Sequence, residues 1–460
     1  MKRDIELLAP AGTIRNMRYA FEFGADAVYA GQPRYSLRVR NNDFQLENLK
    51  TGIDEAHELG KKFFVASNLL PHNNKLKRYL EHMQPVIDMK PDALIMADPG
   101  LIMMVREKWP EIPVHLSVQA NTMNWQAVKF WQSVGISRII LSRELSLDEV
   151  EEIRQQCPDI ELEVFVHGAL CIAYSGRCLL SGYFNHRDAN QGSCTNACRW
   201  EYGMENAAED ISGDVIPIKA LDGLNPQPFS DCGSIERHPL ADQVYTLTEP
   251  NRPDDQMPIF EDEHGTYIMN SKDLRAVQHV ERLVNIGIDS LKIEGRTKSH
   301  YYVGRTSQAY RKAIDDAVAG RPFDESLMFQ LDSLANRGYT DGFYTRKRSS
   351  ASQNYATGNS LFLVQRFVGE VINYDKATKR AEIIVKNKFE VGDSVELVSA
   401  DGNITFVVKQ MWSAKTGEEI TVAPGSSHQV IIELPAEPSP RAMLAKNLQI
   451  DNEFEEDKSV

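Results

Sequence analysis

Four cysteines, Cys171, Cys178, Cys194 and Cys198, fall within 28 residues of a 460-residue chain that has only six. Such a cluster can serve as disulfides, as a metal site or as a source of one nucleophilic thiol. The spacing is Cys171-x6-Cys178-x15-Cys194-x3-Cys198. Structural zinc sites usually carry two short knuckles, and only Cys194 and Cys198 form one. One compact pair with two wider ligands is compatible with a [4Fe–4S] cluster. Zinc and plain reduced cysteines stay open on spacing alone. His167 precedes Cys171 by four residues, and a histidine can activate a thiol. Cys157 lies at a helix end and reads as an ordinary buried or surface thiol. Cys232 is incidental or a replacement ligand.

Other residues fit to do chemistry recur where short apolar runs end. They are Gln32, Asn68, Asp98, Gln119 and Asn121, Arg143 and Glu144, His167, and Glu294 with Arg296. Singly, Asn68 and Asp98 read as helix caps. Together the set would line one mouth suited to a polar, anionic organic substrate, with Gln119, Arg143, His167 and Glu294 as candidate catalytic residues.

Positioning them requires a repeating scaffold. Short apolar runs such as "IELLAP", "ADAVYAG" and "KKFFVASN" alternate with amphipathic segments such as "TIRNMRYAFEFG". Several of those segments stop at glycine, at Gly24, Gly60 and Gly135, as helices commonly do. "SLDE" from Ser146 to Glu149 reads as a capping box. Seven such units precede the cysteines, and "DSLKIEG" supplies an eighth. The pattern predicts an α/β chain with a (β/α)8 TIM-like barrel, whose chemistry gathers at the C-terminal strand ends. A doubly wound sheet is the alternative. The expected division is a catalytic domain over 1–345, with the cysteine loop at 167–200 and an aperiodic insertion at 201–266. A linker at 346–360 leads to period-two strands at 361–445, read as a small antiparallel β-barrel. An acidic tail over 446–460 is expected to be disordered.

The net charge of −14 argues against bulk binding of polyanions, which needs Lys and Arg. It leaves room for a local patch. "RYSLRVR" places Arg34, Arg38 and Arg40 around Tyr35, and a second basic-aromatic stretch begins at Arg296. Arginine with an aromatic suits RNA phosphates and unstacked bases. No apolar run approaches a membrane span. The acidic start, without an apolar leader, predicts a cytoplasmic protein with reduced thiols, which weakens the disulfide reading.

"EVFVHGALCIAYSGRCLLS" resembles the signature of the collagenase-like U-32 peptidase family. "RDANQGSCTNACRWEY", "YIMNSKDL", "SLKIEGRTKS" and "VKNKFEVGDSVEL" fit the same family, so the resemblance spans nearly the whole chain. "GQPRYSLRVRNNDF" is similar to its tRNA-hydroxylation branch. That resemblance implies an enzyme, a tRNA uridine C5-hydroxylase forming 5-hydroxyuridine at the wobble position without molecular oxygen. It further implies a [4Fe–4S] cluster on Cys171, Cys178, Cys194 and Cys198, with Cys232 in reserve. Prephenate is the implied co-substrate and the tRNA anticodon loop the partner. Arg143, Arg296 and Arg38 are candidate partners for carboxylates. Peptidase action through Cys171 or a metal, and RNA binding with a purely structural metal, are the competing readings.

Overall fold

Eight short runs, nearly all buried along their length, form eight parallel strands. They are β1 (Glu6–Pro10), β2 (Ala27–Gly31), β3 (Lys62–Ser67), β4 (Ala93–Met96), β5 (Val114–Leu116), β6 (Arg138–Ile140), β7 (Glu161–Ala169) and β8 (Ser290–Ile293). A computed structural model describes residues 5–32, 34–36, 43–71, 73–169, 273–334, 338–345, 365–425 and 427–448, with the backbone of short strands between 173 and 268. Each strand pairs with the next, and β8 pairs in parallel with both β7 and β1, so the sheet closes. The (β/α)8 expectation holds and the doubly wound alternative falls.

A helix follows each strand: α1 (Ile14–Glu22), α2 (Leu46–Glu58), α3 (Tyr79–Asp88), α4 (Pro99–Lys108), α5 (Trp125–Ser133), α6 (Leu147–Gln156), α7 (Val280–Ile286) and α8 (His300–Val318). Their boundaries are set by local chemistry. The side chains of Thr13, Asp98, Asn124, Ser146 and Ser299 accept from backbone N–H groups of the first turn, which have no intrahelical partner. Ser146 and Glu149 form the capping box. Gly24, Gly60 and Gly135 adopt positive φ just past their helices.

The stretch expected to be aperiodic is not wholly so. Strands Gly203–Glu209, Val215–Pro217, Val244–Glu249, Arg252–Asp262 and Gly265–Ile268 make a five-stranded antiparallel sheet. Proline and acidic residues interrupt the hydrophobic alternation there, and only the pairing of Gly203–Glu209 with Val244–Glu249 joins segments far apart in sequence. Asp273–Arg275 then runs antiparallel to the end of β7.

The C-terminal domain is antiparallel, as expected. Seven strands form its main sheet, in the order Gly402–Val407, Ser394–Ser399, Met443–Asn447, Gln365–Asp375, Arg380–Val385, Gln429–Glu433 and Met411–Ser413, and Phe389–Glu390 pairs separately with Val422–Ala423. Among the described residues no strand ladder joins the two edge strands of that sheet directly. Its Val398, Met443 and Ala445 share the hydrophobic core of the (β/α)8 domain. The expected linker and most of the tail lie outside the described residues.

Candidate functional site

The barrel interior holds charge, and it is compensated. Lys292 Nζ lies 2.8 Å from Glu163 and Arg138 lies 3.2 Å from the same carboxylate. Arg138 also reaches Glu6 at 2.5 Å, while Ser290 donates to Glu6 at 3.0 Å. Burial opposes the ionisation of Glu6, yet Arg138 and Lys62 outweigh it and hold the carboxyl below its usual range. Burial pulls Lys292 down despite Glu163. Isolated charges would not persist there, because desolvation of each ion costs several kcal/mol, on the order of the whole stability of a domain.

Two aromatic rings stand between this network and the rim. The Phe165 ring has Lys292 Nζ 5.4 Å from its centroid and Arg143 Cζ 3.8 Å from it. The Tyr29 ring has Lys292 Nζ at 4.3 Å and Arg296 Cζ at 5.9 Å. Lys292 belongs to β8, whereas Arg143 and Arg296 lie past the ends of β6 and β8. Ring faces attract cations from either side.

At the rim, Arg143 Nη2 meets Glu294 at 3.0 Å and Nη1 donates to the carbonyl of Ala169 at 2.6 Å. That carbonyl sits at the root of the cysteine loop. Arg296 is 8% exposed and donates to Ser36 Oγ at 2.7 Å. Gln119 Oε1 accepts from Asn68 Nδ2 at 2.6 Å and from Ser117 Oγ at 3.1 Å. The structure thus brings Arg143 and Glu294 into contact and sets Gln119 beside Asn68.

His167 departs from the expected mouth. Along β7 and β8, Glu163 faces Ser290 and Phe165 faces Lys292, but His167 then faces Ile293. One extra residue, Val166, is inserted, and such a bulge reverses the facing of the residues after it. The His167 ring therefore packs among Tyr302, Tyr310 and Tyr339, with centroids 5.8, 5.5 and 5.3 Å away. Tyr310 spends its proton on the carbonyl of Val166 at 2.7 Å. Its oxygen, 3.3 Å from His167 Nδ1, is left to accept. Burial pushes the His167 pKa down to about 3, helped by Arg275 and Lys298. A neutral imidazole held among phenols packs as a core residue, turned away from the rim expected of His167 as a candidate catalytic residue.

The expected RNA-contacting loop is divided. Arg34 is exposed and hydrogen-bonds His82 at 2.9 Å. Tyr35, expected to stack on a base, is 2% exposed, edge-on to Tyr79, with its hydroxyl 2.8 Å from His82. Its backbone N–H, like that of Arg34, binds Gln32 Oε1, so Gln32 shapes the turn. Arg38 and Arg40 lie outside the described residues. So do Cys171, Cys194, Cys198 and Cys232, and Cys178 is described only as backbone in the strand Arg177–Cys178. Cys157 is buried, and its thiol is pushed up by that burial. Asp98 caps α4 through the Leu101 N–H. Among the described residues no cluster of three or more His, Cys, Asp or Glu side chains is arranged to hold a metal. No described helix is long and apolar enough to cross a membrane.

Sequence reasoning did not pick out Glu163, Lys292, Tyr29 and Phe165 as a group. The signal was charge inside apolar strands, in "ELEVFV" and "SLKIEG".

Comparison with known proteins gives consistent matches. Peptidase family U32 matches residues 12–354, and the peptidase family U32 C-terminal domain matches 364–445. A tRNA hydroxylation protein P of Haemophilus influenzae is 59% identical over 448 residues, covering 96% of each chain. The Escherichia coli protein of the same name is 59% identical over 431 residues, covering 94% of each. The E. coli 23S rRNA 5-hydroxycytidine C2501 synthase is 28% identical, covering 86% of this chain and 52% of its own.

Proposed function

This chain belongs to peptidase family U32, and we propose that it is an RNA-modifying enzyme that hydroxylates C5 of the wobble uridine in tRNA. Full-length similarity to two tRNA hydroxylation proteins is the observation that carries the reading. The rim chemistry supports it. A buried, charge-compensated barrel with Arg143, Glu294, Gln119 and Arg296 at its rim is built to orient a polar substrate away from bulk water. The packing of the His167 imidazole among tyrosines favours this reading over a peptidase dyad with His167 as base.

The finer parts of the proposal rest on family resemblance. Cys171, Cys178, Cys194 and Cys198 would hold a [4Fe–4S] cluster, which would supply electron transfer. Prephenate would enter as co-substrate, its carboxylates met by Arg296 or Arg38, since Arg143 is already paired with Glu294. A cytoplasmic location follows from the substrate.

Nucleoside analysis of tRNA from a strain lacking this chain tests the core of the reading. Loss of 5-hydroxyuridine, restored by the wild-type chain, is expected; unchanged nucleosides reject it. Cys194→Ala is expected to lose iron and modification together in protein purified without oxygen. Full iron content in that variant would reject the ligand assignment, and iron loss in Cys232→Ala would promote Cys232.

A further inference from the structure

Two buried N–H groups at the rim have no hydrogen-bond partner among the described residues: Gln119 Nε2 and Arg143 Nε. Each belongs to a residue three positions past its strand, on the neighbouring strands β5 and β6. A buried donor without a partner forfeits its hydrogen bond to water, so each such group calls for an explanation, a bound ligand or water among them.

The Gln119 amide stands with its oxygen toward Asn68 and Ser117, taking hydrogens from Asn68 Nδ2 and Ser117 Oγ. Flipping the amide would set its NH2 against the NH2 of Asn68. The backbone is held as well: Val118–Ala120 form one 3-10 turn closed by Asn121 in the left-handed region, φ 49°. In this arrangement Nε2 is the donor left without a partner among the described residues. Its charged neighbour is already balanced, because Arg143 is paired with Glu294. A neutral acceptor suits this surrounding better than a full anion, which would leave net charge in a buried site.

We propose that Gln119 reads the base to be modified, its Nε2 donating to the O4 carbonyl of uracil, with Arg143 Nε flanking the same site. This rests on the uridine hydroxylation proposed above. O4 is the atom that distinguishes uracil, an acceptor there, from cytosine, which carries an amino donor. It is attached to the carbon next to C5, so a residue holding O4 also positions the reacting carbon.

Gln119→Glu tests this with a single-atom exchange. The variant keeps an oxygen for Asn68 and Ser117 and replaces the Nε2 donor with an acceptor. The measurement is the affinity of the full-length protein for an anticodon stem-loop RNA carrying uridine, 4-thiouridine or cytidine at the wobble position. The ratio between RNAs cancels any general effect of the added charge. Wild-type protein is expected to prefer uridine over cytidine. Gln119→Glu is expected to lower that ratio by about fivefold or more. 4-Thiouridine, whose sulfur accepts weakly, is expected to weaken wild-type binding but not that of Gln119→Glu or Gln119→Met. Gln119→Met serves as the second variant if the first does not fold. A uridine-to-cytidine ratio left unchanged by both variants, or no preference in the wild type, overturns the proposal. If the deletion strain loses 5-hydroxyuridine while that ratio is unmoved, base reading by Gln119 fails alone and the proposed function stands.

Discussion

His167 shows how a residue of catalytic type becomes structural. Its ring is 1% exposed and its pKa lies near 3, below the ordinary value near 6.5. The unfolded chain therefore binds the proton more readily than the folded one. His167's contribution to stability is full above about pH 6.5 and is lost as pH falls toward the folded value. The slope is at most about 1.4 kcal/mol per pH unit for one proton. Urea unfolding of wild type and His167→Gln at pH 7 and pH 5 checks this. The stability gap between them is expected to narrow at pH 5, and an equal gap would mean that the imidazole is not held neutral. Glu163 makes the opposite kind of residue prediction. Glu163→Gln leaves Lys292 buried without its contacting carboxylate. The expected loss is about 3–5 kcal/mol of unfolding free energy, read in the same urea experiment.

The bulge in β7 is the element that decides which side chains reach the interior. Gly168, just past it, has φ +101°, and a Cβ there would lie 2.5 Å from the Glu294 carbonyl oxygen. That carbonyl also accepts from Tyr302 at 2.8 Å, so it cannot easily yield. Gly168→Ala is expected to cost about 1–3 kcal/mol from backbone conformation alone. Thermal unfolding measures it, and an unchanged midpoint would show that the strand end can rearrange. The helices were legible element by element, because a cap depends on neighbours three residues away, as with Ser146 and Glu149. The bulge was not, because it depends on pairing between β7 and β8, more than a hundred residues apart.

At the scale of the molecule the two domains form one packed unit. Glu370, from the C-terminal sheet, accepts from Tyr19 Oη at 3.2 Å, is 2.9 Å from His300 Nε2 and pairs with Arg15. Arg305 of α8 is 2% exposed and reaches Glu396 at 3.2 Å. One cooperative unfolding transition is expected, with Glu370→Ala lowering the unfolding free energy by about 3 kcal/mol. Two resolved transitions by calorimetry would show that the domains unfold separately. RNA binding also belongs to this scale, since a chain of charge −14 must rely on a local patch. Replacing Arg34, Arg38 and Arg40 together by Ala is expected to weaken tRNA binding. Every phosphate that loses its arginine would reduce the slope of log K against log salt by up to about one unit. An unchanged affinity and slope in a folded variant would move the patch elsewhere, with Lys386 and Lys388 the next candidates.

Periodicity and caps were sufficient to derive the eight strand-helix units and the antiparallel C-terminal strands. These are local properties: burial on both faces makes a continuous apolar run, and helix ends need side-chain acceptors. The rim positions of Gln119, Arg143 and Glu294 emerged in the same way, as residues just past strand ends. Side-chain direction did not. The inward charges Glu163 and Lys292, the outward turn of His167, the burial of Tyr35 and the contact of Gln119 with Asn68 all arise between segments distant in the chain. Only closure of the barrel brings β8 against β7 and β1. That closure sets which polar groups find partners and which are left to meet a ligand.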